Sequence, residues 1–270
     1  MKKEIKILTL GYLVFLALLL VTGYFSGIIN TILYILAFAV PFLMILFLSE
    51  KPKELISAKP LTLKRREALS LSAAISPTLL VISGISYLTA LIIFSLTGKS
   101  APVDIGNNIP EALFLHALLP ALLEEALFRY LPLRLIGARA PRTAILFSAF
   151  AFALVHHSLF SIPYAFASGL IFMAVDIITD SVLPSFVMHF VNNALSVVLT
   201  ISFSEGEYIP YLFITLAALS AVSAVYFIYK RKLILSEVKR VFSVRESPDF
   251  SYEPILLAVP TLFMAVAELL

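Results

Sequence analysis

Long apolar runs recur along this chain and decide what it can fold into. A helix needs about 20 predominantly apolar residues to cross a hydrocarbon layer about 30 Å thick. Runs near that length fall at 8–25, 31–49, 69–96, 111–136, 142–157, 162–179, 182–203 and 208–229, with a shorter ninth at 254–270. Hydrophobic side chains make up 60% of the 270 residues, far more than in a soluble domain. The sequence predicts an all-α, polytopic transmembrane bundle of about eight spans, with a ninth as an alternative.

The charged residues fall mainly between these runs and predict an orientation. Basic residues gather in the segments 2–6, 51–66, 129–142 and 230–245. The loops that alternate with them contain one lysine between them and carry acidic residues; they are 26–30, 97–110 and 204–207. Because cytoplasmic loops are enriched in Lys and Arg, we expect a cytoplasmic N-terminus and an integral, multi-pass membrane location.

Composition excludes several other classes of protein. The net charge of +3 arises from these short basic clusters, so we expect the lipid bilayer as a partner and no nucleic acid. The chain has no cysteine, which rules out disulfides, thiolate metal sites and a cysteine nucleophile.

The fourth run, 111–136, carries two adjacent carboxylates and an arginine. An ionisable residue at the centre of a membrane helix costs roughly 2.5–3.5 kcal/mol on insertion scales, so such residues usually face a protein interior and have a function. Glu125 and Arg129 are four residues apart and predict an ion pair on one helix face. Glu124 points about 100° away from Glu125 around the helix axis, so its partner must come from elsewhere in the chain.

A histidine in the fifth run lies at the depth of Glu124. Glu124 and His156 are each 16 residues from Ala140, in the turn between the two runs. With a rise of about 1.5 Å per residue, an antiparallel helix pair brings both to one level inside the membrane. We therefore expect a polar intramembrane cavity in which the two side chains share one water molecule.

The seventh run adds a second line of polar residues. Ser185, His189, Asn193 and Ser196 follow the spacing of one helix face, whereas Asn192 lies off it. The two serines are typical of helix packing, since small hydroxyl residues are common in packed spans. His189 and Asn193 are two bulky hydrogen-bonding groups aimed one way, which matches a pair that stabilises an anion.

Three motifs can be written from these residues, in order on the fourth, fifth and seventh runs. They are Glu124-Glu125-x-x-x-Arg129, Phe152-x-x-x-His156 and His189-x-x-x-Asn193. Together they resemble the CPBP family of intramembrane proteases, also called the Abi/CAAX protease family, which includes the type II CAAX prenyl endopeptidases. The resemblance covers about 111–203. It divides the chain into N-terminal transmembrane helices (1–110), a CAAX protease-like catalytic core (111–203), and a C-terminal helix, basic linker and short apolar end (204–270).

The resemblance implies an intramembrane endopeptidase of the glutamic type. It implies Glu124 as the base that activates water, His156 as its partner, and His189 with Asn193 as oxyanion donors. Supporting roles fall to the remaining motif residues, Glu125, Arg129 and Phe152. The implied substrate is a peptide or protein, with or without a C-terminal prenyl group, cut near its C-terminus from the cytosolic side.

Three alternatives remain open from the residues. A zinc enzyme would use Glu124, His156 and His189 as ligands, although we expect no cofactor and no metal. A serine protease would use Ser168 with His189, but the Ala-Ser-Gly run there is typical of helix packing. A non-catalytic protein of the bacteriocin-immunity type would use the same cavity to hold a peptide.

Overall fold

The protein is described by a computed structural model that covers most of its length. The described residues are 2–50, 52–57, 92, 95–96, 98, 108–156, 161–205, 209–245 and 256–259. Nearly all of the third apolar run, most of the ninth, and His157 lie outside the described residues. Within them, every long element is a helix, so the predicted all-α class is confirmed.

The helices follow the apolar runs closely. We number them α1 to α8: Lys2–Thr22, Gly27–Leu48, Pro52–Ser57, residues 109–137, Pro141–Val155, Ile162–Thr179, Leu183–Glu205 and Ile209–Ser243. Three of these described helices, α1, α2 and α6, are long and apolar enough to cross a membrane. Many of the large apolar side chains on α1 and α2 are exposed, as expected of surfaces that face lipid.

Helix α8 is longer than the apolar run that predicts it. The run ends at residue 229 and the sequence predicts a basic linker after it, but the helix continues to Ser243. Residues 211–243 contain no glycine or proline, and the basic segment consists largely of Lys, Arg, Glu and Leu, which are strong helix formers. The change from apolar to basic composition therefore marks a change of surroundings and not the end of the helix.

Helix α4, which carries the first motif, alternates between α and π geometry. Its π-helical segments are Phe114–Leu118, Ala126–Tyr130 and Leu133–Gly137. The first two end two residues before Pro120 and Pro132. A proline ring clashes with the carbonyl four residues earlier, and a wider π turn is one way for a helix to absorb this clash. The two prolines thus shape the helix on both sides of Glu124.

Pro132 also leaves two buried carbonyls without a hydrogen-bond donor in their own helix. Side chains from two other helices supply a donor to each of them. Because proline has no N–H, the carbonyls four and five residues before it, those of Phe128 and Leu127, cannot bond to it. Ser148 Oγ of α5 donates to Phe128 O at 2.6 Å, and Tyr12 Oη of α1 donates to Leu127 O at 3.2 Å. These bonds fix α4 to its neighbours at the level of the first motif.

We expect Ser148→Ala to destabilise the fold through this junction. The substitution leaves Phe128 O buried without a donor and removes the hydroxyl that accepts from Arg129 Nη1 at 3.4 Å. An unsatisfied buried polar group costs about 1–3 kcal/mol. Thermal melting in detergent measures the effect. The control is Ser236→Ala, which removes an exposed hydroxyl bonded only within its own helix, and equal melting temperatures for the two variants would contradict the expectation.

The N-terminal helices pack directly on α4. The ring of Phe128 lies 4.9 Å from Tyr12, 5.5 Å from Phe15 and 6.0 Å from Phe152, measured between centroids. Aromatic pairs at such separations stabilise a core beyond the area they bury. The helix of the first motif is therefore held between α1 on one side and α5 on the other.

Two close contacts show how tightly the helices pack. Lys3 Nζ lies 2.7 Å from Glu50 Oε1, which joins the start of α1 to the end of α2 in an antiparallel pair. This exposed bond holds the pKa of Glu50 below its ordinary value. A Cβ atom on Gly169 would lie 2.8 Å from Ala149 Cα, so α5 and α6 touch at their backbones. The Ala-Ser-Gly run in α6 thus serves helix packing.

Candidate active site

A small cavity lies between α4, α5, α6 and α7. Its volume is about 60 Å³, enough for a few water molecules. It is lined by Glu124, Phe152, His156, Tyr164, Ser168, Phe172, His189, Asn192 and Asn193. All four residues expected to take part in chemistry, Glu124, His156, His189 and Asn193, are among them. The helices therefore gather the three motifs at one place.

His189 lies between the two glutamates of the first motif. Its Nδ1 atom is 2.8 Å from Glu125 Oε1, and its Nε2 atom is 3.7 Å from Glu124 Oε2. A carboxylate can only accept, so Nδ1–H donates to Glu125. This bond fixes the ring with Nε2 toward Glu124.

Glu125 lies behind the cavity and has a partner on each oxygen. Arg129 Nε is 3.6 Å from Glu125 Oε2, so the predicted pair four residues apart is present, and both side chains are buried. The bond from His189 to the other oxygen was not predicted. Glu125 thus links a buried cation to a histidine of the cavity.

Phe152 supports both histidines and the arginine. Its ring centroid is 4.6 Å from that of His156 and 5.6 Å from that of His189, in edge-to-face contacts. The guanidinium of Arg129 lies over the same ring, 4.1 Å from the centroid. A buried cation gains from an aromatic face. The flat face of a phenylalanine ring therefore suits this position better than an aliphatic side chain would.

His156 ends α5 and presents one nitrogen as an acceptor. Its Nδ1 atom lies 2.7 Å from Phe152 O. A carbonyl only accepts, so the proton is on Nδ1, and Nε2 of the neutral ring carries the lone pair. A histidine in this tautomer can take a proton from water.

Glu124 also contacts a helix outside the predicted catalytic core. Tyr34 Oη of α2 lies 3.5 Å from Glu124 Oε1. No spacing rule connects Tyr34 with the motifs, which begin 90 residues later. The contact between them exists only because α2 packs against α4.

Four other cavity residues were absent from the motifs. Tyr164, Ser168 and Phe172 recur every four residues along α6, and this regular spacing was a signal available in the sequence. Asn192 was set aside as lying off the face of Asn193, and this interpretation was wrong. It lines the cavity and is 8% exposed, and its Nδ2 donates to Asn193 Oδ1 at 3.4 Å. The cavity is wide enough to take adjacent positions of α7.

The remaining candidates have other contacts. His116 is exposed on α4 and does not line the cavity. Ser168 Oγ donates to Tyr164 O at 2.8 Å, a bond within its own helix. Asp176 is fully buried and accepts from both the N–H and the hydroxyl of Ser185 at the start of α7. Across the described ranges, no group of three His, Asp or Glu side chains has the geometry of a metal site.

The hydrogen bond between the two asparagines leads to an expected loss of turnover for a variant of each. Asn193 Oδ1 accepts from Asn192, which leaves the Nδ2 group of Asn193 as a donor. Removing one oxyanion donor typically costs about 10²–10³ in turnover, so Asn193→Ala should lower the maximal rate by that factor. Asn192→Asp should do the same, because aspartate can only accept and will draw the Nδ2 group of Asn193 toward itself.

The control for this pair is Asn192→Ala, which removes the donor without reversing the bond. We expect a smaller loss of maximal rate from it than from Asn192→Asp, with little change in apparent affinity. Steady-state kinetics on the purified variants measures both quantities. If Asn192→Asp is as active as the unmodified protein, the orientation of the Asn193 amide is not the one described.

Comparison with known proteins gives one match. No curated protein and no solved structure matches the chain. Residues 107–195 match the family model described as type II CAAX prenyl endopeptidase Rce1-like. The matched segment contains all three motifs and every residue that lines the cavity. The resemblance that the motifs indicate is therefore confirmed over this segment, which is similar to the Rce1-like type II CAAX prenyl endopeptidase family.

Proposed function

We propose that this protein is an intramembrane endopeptidase in which Glu124 and His156 activate a water molecule. Its substrate is a peptide or protein cut near the C-terminus. The observation that carries the proposal is the cavity itself, where three separate helices bring together Glu124, His156, His189 and Asn193. The family match supports a membrane protease of the CAAX type.

The proposed reaction begins with a proton transfer to Glu124. The carboxylate takes one proton from water while His156 Nε2 holds the other by a hydrogen bond, and the water oxygen attacks the peptide carbonyl. Collapse of the tetrahedral intermediate breaks the C–N bond. Glu124 returns its proton to the amine that leaves, so the glutamate ends the cycle ionised.

His189 and Asn193 take the oxyanion in this scheme. Asn193 offers its Nδ2 group, whose orientation follows from the bond to Asn192. His189 already uses Nδ1–H toward Glu125, so it can donate to the oxyanion only as an imidazolium with a proton on Nε2. Glu125 beside it offsets that positive charge.

The test of the proposal uses detergent-purified protein and two peptides. One is a farnesylated CAAX-type peptide and the other is the same peptide without the lipid, and mass spectrometry identifies the products. A cut after the prenylated cysteine is the expected result. Cleavage of both peptides alike would show a substrate class that needs no lipid. Binding without cleavage would favour the non-catalytic, immunity-type alternative.

A zinc mechanism is the second candidate, and one observation favours testing it. Both His156 and His189 have Nδ1 bonded to an oxygen, as metal-bound histidines usually do. Zinc would be held by Glu124, His156 and His189 and would lower the pKa of a bound water to about 7. We favour the metal-free scheme, because Asn193 beside His189 suits an oxyanion better than ligation. Close to one zinc per chain, with chelator inactivation reversed by zinc, would reassign these residues as ligands.

We propose further that about eight spans surround the cavity and that it opens to the cytosol. The basic segments support this orientation, since they all fall on one side when the N-terminus is cytoplasmic. The chain has no cysteine, so single cysteines can report the side of each loop. A cysteine at Ser57 should react with an impermeant thiol reagent only after the membrane is opened, and one at Ser204 before. Reversed labelling would overturn the orientation.

A further inference from the structure

The α6 side of the cavity carries a hydroxyl that the proposed reaction does not use. Tyr164 lines the cavity, and its Oη atom is buried. Among the residues that the structure describes, none meets it with the distance and angles of a regular hydrogen bond, although Ser168 and Asn192 lie close to it. It faces the side chains of Ser168 and Asn192, which also line the cavity.

An unpaired buried hydroxyl is costly, so this one requires a reason. Leaving such a group unsatisfied costs as much as its lost hydration, and the large majority of buried polar side-chain atoms have a partner. Tyrosine hydroxyls on α1 and α2 that reach α4 follow this rule. Tyr12 Oη donates to Leu127 O, and Tyr34 Oη donates to Glu124 Oε1. Tyr164 differs from them because its side chain lines the cavity.

The surroundings of Tyr164 indicate what kind of group it binds. We use the name neutral wall for Tyr164, Ser168 and Asn192, the uncharged polar residues on the α6 side and its border with α7. The described residues that line the cavity include no Lys or Arg, and the one carboxylate among them is that of Glu124. A free carboxylate would meet the Glu124 carboxylate in this cavity and no Lys or Arg side chain. A peptide carbonyl is neutral and accepts from hydroxyl and amide donors.

We propose that the neutral wall is a subsite for the substrate main chain. In it, Tyr164 Oη donates to the carbonyl oxygen of a peptide group next to the scissile bond. The inference rests on the proposed function, since it assumes that a peptide enters the cavity. A main-chain subsite makes this contact independent of substrate side chains. The neutral wall also keeps the terminal carboxylate of the substrate out of the cavity.

Tyr164→Phe tests the inference, because it removes the hydroxyl and keeps the ring. One hydrogen bond to a neutral partner contributes a factor of roughly three to ten in affinity. We expect the Kd and KM for the farnesylated CAAX-type peptide to rise by that factor, with kcat nearly unchanged. The melting temperature of the free protein should stay the same or rise, because the unpaired hydroxyl no longer has to be buried. A purely structural hydroxyl would show the opposite, a lower melting temperature.

Tyr12→Phe is the matched control. It removes a buried hydroxyl that has a partner outside the cavity, so it should lower the melting temperature and leave the affinity of the folded protein unchanged. Affinity is measured by fluorescence anisotropy with a labelled peptide, and turnover by mass spectrometry. Equal Kd and KM for Tyr164→Phe and the unmodified protein would overturn this inference and leave the proposed function standing. Failure of the unmodified protein to bind or cleave either peptide would overturn both.

Discussion

Glu124→Gln is expected to lower turnover by a factor on the order of 10²–10⁴, the usual contribution of a general base. Glutamine has the size of glutamate and its amide oxygen can still accept from Tyr34 Oη, so the packing around it should persist. It cannot take a proton from water. The rate per folded molecule, measured after size-exclusion chromatography, should therefore fall while the melting temperature changes little.

Glu111→Gln is the control for this substitution. Glu111 lies on the same helix but is exposed and outside the cavity, so its loss of charge should leave turnover unchanged. The base would have to be sought elsewhere if Glu124→Gln kept a rate close to that of Glu111→Gln. His156→Ala with His116→Ala gives the same comparison for the histidine, because His116 is exposed on α4.

Glu125→Gln is expected to act first on stability. Arg129 is fully buried and Glu125 is 2% exposed, so the substitution leaves a buried cation without its charged partner. Breaking one side of a buried ion pair typically costs about 3–5 kcal/mol. A lower melting temperature and a lower yield of folded protein should follow. An unchanged melting temperature would mean that Arg129 does not depend on Glu125.

The double variant Glu125→Gln with Arg129→Met separates stability from activity. Replacing both members of a buried pair by uncharged side chains can be nearly neutral, so much of the lost stability should return. Activity should not return, because His189 Nδ1 no longer donates to a carboxylate and its imidazolium is no longer offset. Recovery of full activity in the double variant would show that Glu125 serves only to neutralise Arg129.

The local patterns of the sequence were sufficient for the helices and for the contacts within them. The apolar runs predicted the all-α class, and the spacing of four residues predicted the pair of Glu125 with Arg129 that the structure contains. The prolines that shape α4 were also visible, at Pro120 and Pro132. Such features depend on neighbours within one or two turns of helix, so spacing alone determines them.

The motifs gave the candidate residues but not their partners across helices. Depth and spacing pair Glu124 with His156 and give Glu125 a partner only in Arg129. In the structure, His189 reaches both glutamates, and Asn192 shares the cavity with Asn193. These contacts depend on how far each helix is rotated about its axis, which a spacing rule leaves undetermined.

Contacts between distant parts of the chain were beyond sequence reasoning altogether. Tyr34 approaches Glu124 from α2, Tyr12 bonds the backbone of α4 from α1, and Tyr164 lines the cavity from α6. Neither Tyr12 nor Tyr34 differs, in the sequence, from other tyrosines within apolar runs. By itself the sequence determined the helices and the set of candidate catalytic side chains, because both are recorded in local spacing. Only the packing of α1, α2 and α6 around α4 decided which neighbouring side chains contact these candidate residues. That packing depends on the shapes of whole helix faces.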